Sequence, residues 1–142
     1  YEIGVRLVGS EMVIRDRPHT DGPAYFPAVA TVSLGSYTLL DLYDPKPSGG
    51  YEPEPVFSLF QEPRSLLITL GDAYTRYLHG IAERANDAPN DLARIANLEA
   101  LSPAWRVCCA NASAPLSRSR RVSLTFRDIE RVHKGLKLPR SL

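Results

Sequence analysis

The sequence predicts a mainly all-β domain, a sandwich or jelly roll with a short helical insertion between its last strands. Three observations carry that reading. Short runs rich in β-branched and aromatic residues recur along the chain, Gly/Pro turns separate them, and helical periodicity appears only after residue 90. At 142 residues, 44% hydrophobic and 23% charged, the chain has the length and composition of one globular domain with a real core. No apolar run reaches the ~20 residues a membrane-spanning helix requires, so no membrane partner is expected. No charged-then-apolar leader opens the chain, and Tyr1 begins within strand-like sequence, as expected of a fragment.

Residues 2–14 place Ile3, Val5 and Leu7 in loose alternation, followed by Met12, Val13 and Ile14, which predicts one or two strands. Residues 18–27, with Gly22 and Pro23, read as a loop. Strands follow over 29–35, ending on Gly35, and over 37–43, bounded by Asp44-Pro45. Residues 46–55 hold Pro47, Gly49, Gly50, Pro53 and Pro55 and predict a flexible loop. The next strand covers 56–61, Glu62-Pro63-Arg64 is a tight turn, and 65–70 is a further strand closed by Gly71-Asp72. Residues 74–81 read as a strand containing His79.

An insertion is predicted over 82–118. Within it, Pro89-Asn90-Asp91 reads as a helix start with Asn90 or Asp91 as cap. Leu92, Ile95, Leu98 and Leu101 then recur at helical spacing up to Pro103, a packing stripe. The last clear strand, 121–127, sets Val122, Leu124 and Phe126 on one face and Arg121, Ser123, Thr125 and Arg127 on the other. Most strands with this pattern simply have a wet face; two arginines are expensive to bury unless an anion sits between them, so this face would suit a cavity that held a dicarboxylate.

The net charge of +1 conceals an asymmetry. Residues 118–142 carry eight Lys/Arg against Asp128 and Glu130, a local +6, while the rest of the chain is acidic. A basic terminal segment suits a polyanionic partner, although most such charges simply form a solvated face. The two cysteines, Cys108 and Cys109, are adjacent, a spacing that disfavours a disulfide and offers no zinc pattern with any histidine. A reduced, intracellular protein is expected.

The candidate metal ligands start from His19-Thr20-Asp21. Side chains two apart on a strand point the same way, so an imidazole and a carboxylate can meet one ion. Taken alone, such a spacing more often means a surface hydrogen bond. Two histidines and one carboxylate form the facial set of non-haem Fe(II) sites, and a jelly roll can bring a strand as distant in sequence as that of His79 to the same lumen. His133, in the basic segment, is the alternative ligand and reads more simply as a surface residue.

Together, His19-Thr20-Asp21, Val32-Ser33-Leu34-Gly35, Tyr77-Leu78-His79-Gly80-Ile81 and the 121–127 strand resemble the AlkB family of Fe(II)- and 2-oxoglutarate-dependent dioxygenases. The last segment is similar to the family's Arg-x-x-Leu-Thr-Phe-Arg signature. The 19–27, 62–67 and 73–81 segments are similar to the AlkB homologue 6 subfamily. The resemblance implies a double-stranded β-helix in which His19, Asp21 and His79 hold Fe(II). Arg121 and Arg127, with Ser123 between them, would bind 2-oxoglutarate, and O₂ would take a remaining metal position. It further implies oxidative demethylation of a modified base in RNA or DNA. The oligomeric state is left open, with a monomer expected, and the intracellular setting expected is the nucleus, the cytoplasm or both.

The sequence departs from the family upstream. An Asn-x-Tyr is expected about eleven residues before the His-x-Asp, where this chain reads Val8-Gly9-Ser10. Only eighteen residues precede His19, fewer than the family's nucleotide-recognition lid requires. These departures and the basic segment motivate the alternative expectation, a non-catalytic nucleic-acid-binding or scaffolding domain that keeps the fold. A dioxygenase acting on a protein side chain or small molecule is a third, since fold alone does not select substrate.

Overall fold

The computed structural model describes residues 2–9, 16–23 and 25–129. Among the described residues, alternating apolar and polar residues with Gly or Pro between runs give ten strands, arranged as two four-stranded antiparallel sheets and one small ribbon. The first sheet takes β1 (Glu2–Gly9), β3 (Ala28–Gly35), β6 (Ser65–Leu70) and β10 (Arg121–Ile129) in the order β1-β10-β3-β6. The second takes β2 (Asp16–His19), β4 (Thr38–Tyr43), β5 (Phe57–Gln61) and β7 (Leu78–Ile81) in the order β2-β7-β4-β5. Pairing of strands so distant in sequence, with no parallel ladder in either sheet, is the jelly-roll architecture the sequence predicts. The ribbon pairs β8 (Asn86–Asp87) with β9 (Leu116–Ser117). Among the described residues, no helix is long and apolar enough to cross a membrane.

The turn at Glu62-Pro63-Arg64 forms as expected, with Arg64 in the left-handed region and its amide donating to Ser33 O. Gly35 needs its glycine on two counts. Its φ is +80°, and a Cβ there would lie 2.5 Å from the Arg120 carbonyl oxygen.

Two local expectations are corrected. Residues 74–81 are not one strand. Gly71, at φ +54°, ends β6, and Asp72–Thr75 form a single helical turn, α1, before β7 begins at Leu78. That turn exists because Tyr74 is buried and bonded across the fold instead of alternating along a strand. The 92–101 stripe is likewise not one helix. It breaks into α2 (Pro89–Leu92), an irregular stretch, and a 3-10 turn at Leu98–Ala100, after which Pro103 starts α3 (Pro103–Ala110) instead of closing a helix. Proline at a first helical position is favoured because its missing N–H would be unpaired there anyway. The break itself is driven by β5, a sheet edge. Ser58 N donates to Arg94 O, Ala96 N donates to Ser58 O, and the Asn97 side chain bonds both backbone groups of Phe60. Residues 94–97 thus cover an edge that would otherwise be left unpaired. The α2 cap is Ala88, and Asp91 acts from the third helical position by accepting from the Ala88 amide at 2.9 Å.

The apolar core sits between the second sheet and this insertion. Tyr37, Leu39, Phe60, Leu92, Leu101 and Cys109 form one buried cluster, with Ile95, Leu98 and Trp105 against it. The Tyr37 and Phe60 rings stack at 4.8 Å. Beside the core lies a buried ionic cluster. Asp87 is fully buried and accepts from Arg118 (2.6 and 2.7 Å) and Arg84 (2.7 Å), while Asp41 accepts from Ser58 at 2.5 Å. Burial raises the Asp41 pKa against the opposing Ser58 bond and Arg84. The space between the two sheets is left for a cavity.

Candidate metal centre

β2 and β7 are paired so that His19 lies directly opposite His79. Their ring centroids are 4.6 Å apart. Asp21 stands beyond the end of β2, in the turn after His19, yet its carboxylate reaches the same point: Oδ2 is 3.8 Å from His79 Nε2. Donor atoms of all three lie within 4.8 Å of one another. Metal–ligand bonds of about 2.1 Å set adjacent donors roughly 3 Å apart, so these donors would have to draw closer to hold one ion. The chemistry of the donors fits. His19 Nδ1 lies 2.8 Å from Arg17 O, a bond in which the ring N–H donates and Nε2 is left to face a metal. Burial is the main influence lowering the His79 pKa, with the Asp21 carboxylate opposing it, so this imidazole is held in its neutral, ligating form.

These ligands open on a cavity of about 70 Å³ between the sheets, lined by His19, Asp21, His79, Gln61, Thr31 and Thr69 and by the polar face of β10. Arg121, Ser123, Thr125 and Arg127 all line it, on the face that strand alternation assigns them. Arg121 is 3% exposed; its Nε donates to Ser33 Oγ (2.8 Å) and its Nη2 to Gln61 Oε1 (2.7 Å). Burial first, and then Arg118, lower its pKa to about 10, which leaves it a cation at neutral pH. Arg127 sits differently. Its Nε donates to Asp21 Oδ1 at 2.9 Å, its Nη2 donates to the same oxygen, and its guanidinium lies 5.4 Å from the centre of the Tyr25 ring.

The structure therefore brings His19, Asp21, His79, Arg121, Ser123 and Arg127 to one cavity. His133 and the basic residues beyond 129 lie outside the described residues. Sequence reasoning missed Ser33 and Gln61, the partners of Arg121, and the lodging of Arg127 on a candidate ligand. Alternation along 29–35 could have found Ser33, which pairs with Ser123 in register. The same backbone register sets Val8 of β1 opposite Ser123.

No family model matches the chain. A curated relative, the "Probable RNA/DNA demethylase ALKBH6" of Danio rerio, is 36% identical over 121 residues, covering 81% of this chain and 48% of that protein. The chain thus spans about half the length of the curated relative it matches. That identity, together with a jelly roll that gathers the His-x-Asp, the distal histidine and the arginine strand around one cavity, shows that the chain belongs to the AlkB family and is similar to its homologue 6 branch.

Proposed function

We propose that the chain is an Fe(II)- and 2-oxoglutarate-dependent dioxygenase that removes a methyl group oxidatively from a base in RNA or DNA. The observation that carries this reading is the convergence of His19, Asp21 and His79 beside a cavity with a buried arginine in its wall. Family membership and the relative's printed description, an RNA/DNA demethylase, supply the reaction class. In this reading His19, Asp21 and His79 would hold Fe(II), a ligand set that leaves positions open for the co-substrate and O₂. When bound, the metal and co-substrate supply the oxidising power: 2-oxoglutarate and O₂ become succinate and CO₂ as one oxygen atom enters the methyl C–H bond. The resulting N-hydroxymethyl group then leaves as formaldehyde and returns a proton to the base nitrogen.

The protein's own share is binding and exclusion of water. Arg121 offers a desolvated guanidinium to one carboxylate, with Ser123 beside it on β10, and a guanidinium in a dry cavity binds a carboxylate far better than in water. Arg127 holds Asp21 from behind and keeps one carboxylate oxygen toward His79. Neutral His79 need lose no proton to ligate, and the Nδ1 bond to Arg17 O fixes the orientation of the His19 ring. The free thiols of Cys108 and Cys109 fit an intracellular setting.

A second reading, a nucleic-acid-binding domain that keeps the fold without turnover, is favoured by one observation. Val8, where the family resemblance calls for a polar residue that helps hold 2-oxoglutarate, lies in register with Ser123 of the cavity wall. Anaerobic addition of Fe(II) and then 2-oxoglutarate separates the readings. The dioxygenase gives the visible charge-transfer band of a chelated keto acid, then succinate on admission of O₂ and formaldehyde from a methylated oligonucleotide. Salt-sensitive oligonucleotide binding with no band and no succinate would support the second reading and refute the first.

A further inference from the structure

We infer that Tyr74 is a positioning residue of the metal centre, tying down the turn that carries Asp21. This inference rests on the metal-centre reading above and adds to it a residue outside the ligand set. Two of the three ligands need no such help: His19 and His79 belong to paired strands, in register with each other. Asp21 is the exception, because it follows the end of β2 and no ladder holds it. Ligands on loops are placed less well than ligands on strands unless other bonds fix the loop.

Tyr74 supplies those bonds. It lies on α1, 7% exposed, and its hydroxyl donates to Gly22 O at 2.6 Å, with Tyr25 O also near at 3.3 Å. Gly22 immediately follows Asp21 and holds φ +82°, a left-handed bend that the tyrosine hydrogen bond locks from the carbonyl side. Tyr25 carries Arg127 against its ring, and Arg127 donates to Asp21 Oδ1. Both backbone contacts of the tyrosine therefore lead to the same carboxylate, one through the adjacent peptide and one through the arginine that grips it. Both partners are carbonyl oxygens, so the Tyr74 hydroxyl is the donor. Further along, the turn regains ladder support at the Phe26 amide, which donates to Asp128 O. Tyr74 thus bonds the stretch between two sheet anchors, where the ligand sits.

The test compares Tyr74→Phe with Tyr37→Phe in the full chain, using Co(II) as the probe. Tyr37 is as well buried, and its hydroxyl donates to Leu116 O at 2.6 Å beside Asp87 and Arg118, on the opposite side of the second sheet from the cavity. Both variants are expected to lower the apo-protein Tm, Tyr37→Phe at least as much as Tyr74→Phe. Only Tyr74→Phe is expected to weaken Co(II) binding, by about tenfold, and to alter the visible ligand-field spectrum of the bound ion. It should also speed amide hydrogen exchange over residues 20–26 in the apo protein, a readout that needs no metal. Equal Co(II) affinity and spectra in Tyr74→Phe and the parent would overturn the inference while leaving the metal centre standing. A parent chain that binds no Co(II) would overturn the metal centre itself, and the inference with it.

Discussion

The two sheets are built from similar strands but use their faces in opposite ways. The second sheet buries its outer face under the insertion, where Leu39 is 0% and Phe60 2% exposed. On the first sheet, the outer face carries rows that are just as apolar, Leu124–Val32–Leu66 and Phe126–Ala30–Ile68 in register. Yet Leu66, Ile68 and Leu70 of its edge strand stand 55–60% exposed. Between the sheets, where a sandwich ordinarily keeps its core, arginines, threonines and the candidate ligands share the space with Val29, Leu40, Leu67 and Ile81. The inner face is divided between polar groups and packing, so much of the stability has to come from the far side of the second sheet.

That contrast sets the order of mutational effects. The largest belongs to the buried ionic cluster that fastens the insertion. Asp87→Ala strips Arg118, 4% exposed at its side chain, of a bidentate partner and leaves a buried cation. A loss of about 3–5 kcal/mol in urea unfolding is expected. Next is Leu39→Ala, which opens a cavity in the cluster under the insertion and should cost ~2–5 kcal/mol in the same measurement. A cost below about 1 kcal/mol at Leu39 would mean that the stabilising core lies elsewhere.

Much of this division is legible in the sequence, and what is not has a physical cause. Period-two alternation placed the strands and assigned Arg121, Ser123, Thr125 and Arg127 to one face, because a pleated strand leaves no other choice. In the insertion, the stripe Leu92, Ile95, Leu98 and Leu101 correctly marked residues that pack together, but not the backbone that brings them there. Periodicity reports which residues face the core. It does not report that the edge of β5 competes for the backbone of residues 94–97 and wins. At the site, the ligand residues could be read from spacing and resemblance. The bond between Arg127 and Asp21 joins residues 106 apart and depends on how the first sheet sits over the turn, which no local pattern encodes.

The bond between Arg127 and Asp21 links the sheets across the cavity and gives the third prediction. Had Arg127 served the co-substrate alone, Arg127→Ala would weaken 2-oxoglutarate and spare the metal. Since its guanidinium lies on the Asp21 carboxylate, the substitution should weaken Co(II) or Fe(II) about 10–100-fold as well as weakening 2-oxoglutarate. Parallel titrations measure both. A loss confined to 2-oxoglutarate would mean that Arg127 leaves Asp21 when the co-substrate binds.

The smallest effect is expected on the outer face of the first sheet, at the other pole of the comparison. Ile68 lies on edge strand β6, 55% exposed, in register with Ala30. Threonine keeps the β-branched shape that a strand favours, and a half-exposed methyl contributes little burial to lose. Ile68→Thr should therefore change unfolding free energy by less than about 0.5 kcal/mol, as surface substitutions generally do. The value is diagnostic because the row it belongs to is apolar from β10 through β3. If Ile68→Thr instead costs more than about 1 kcal/mol, and that cost shrinks on dilution, another surface covers β6 in solution. The two sheets would then be alike in burying their outer faces, and would differ only in what covers them.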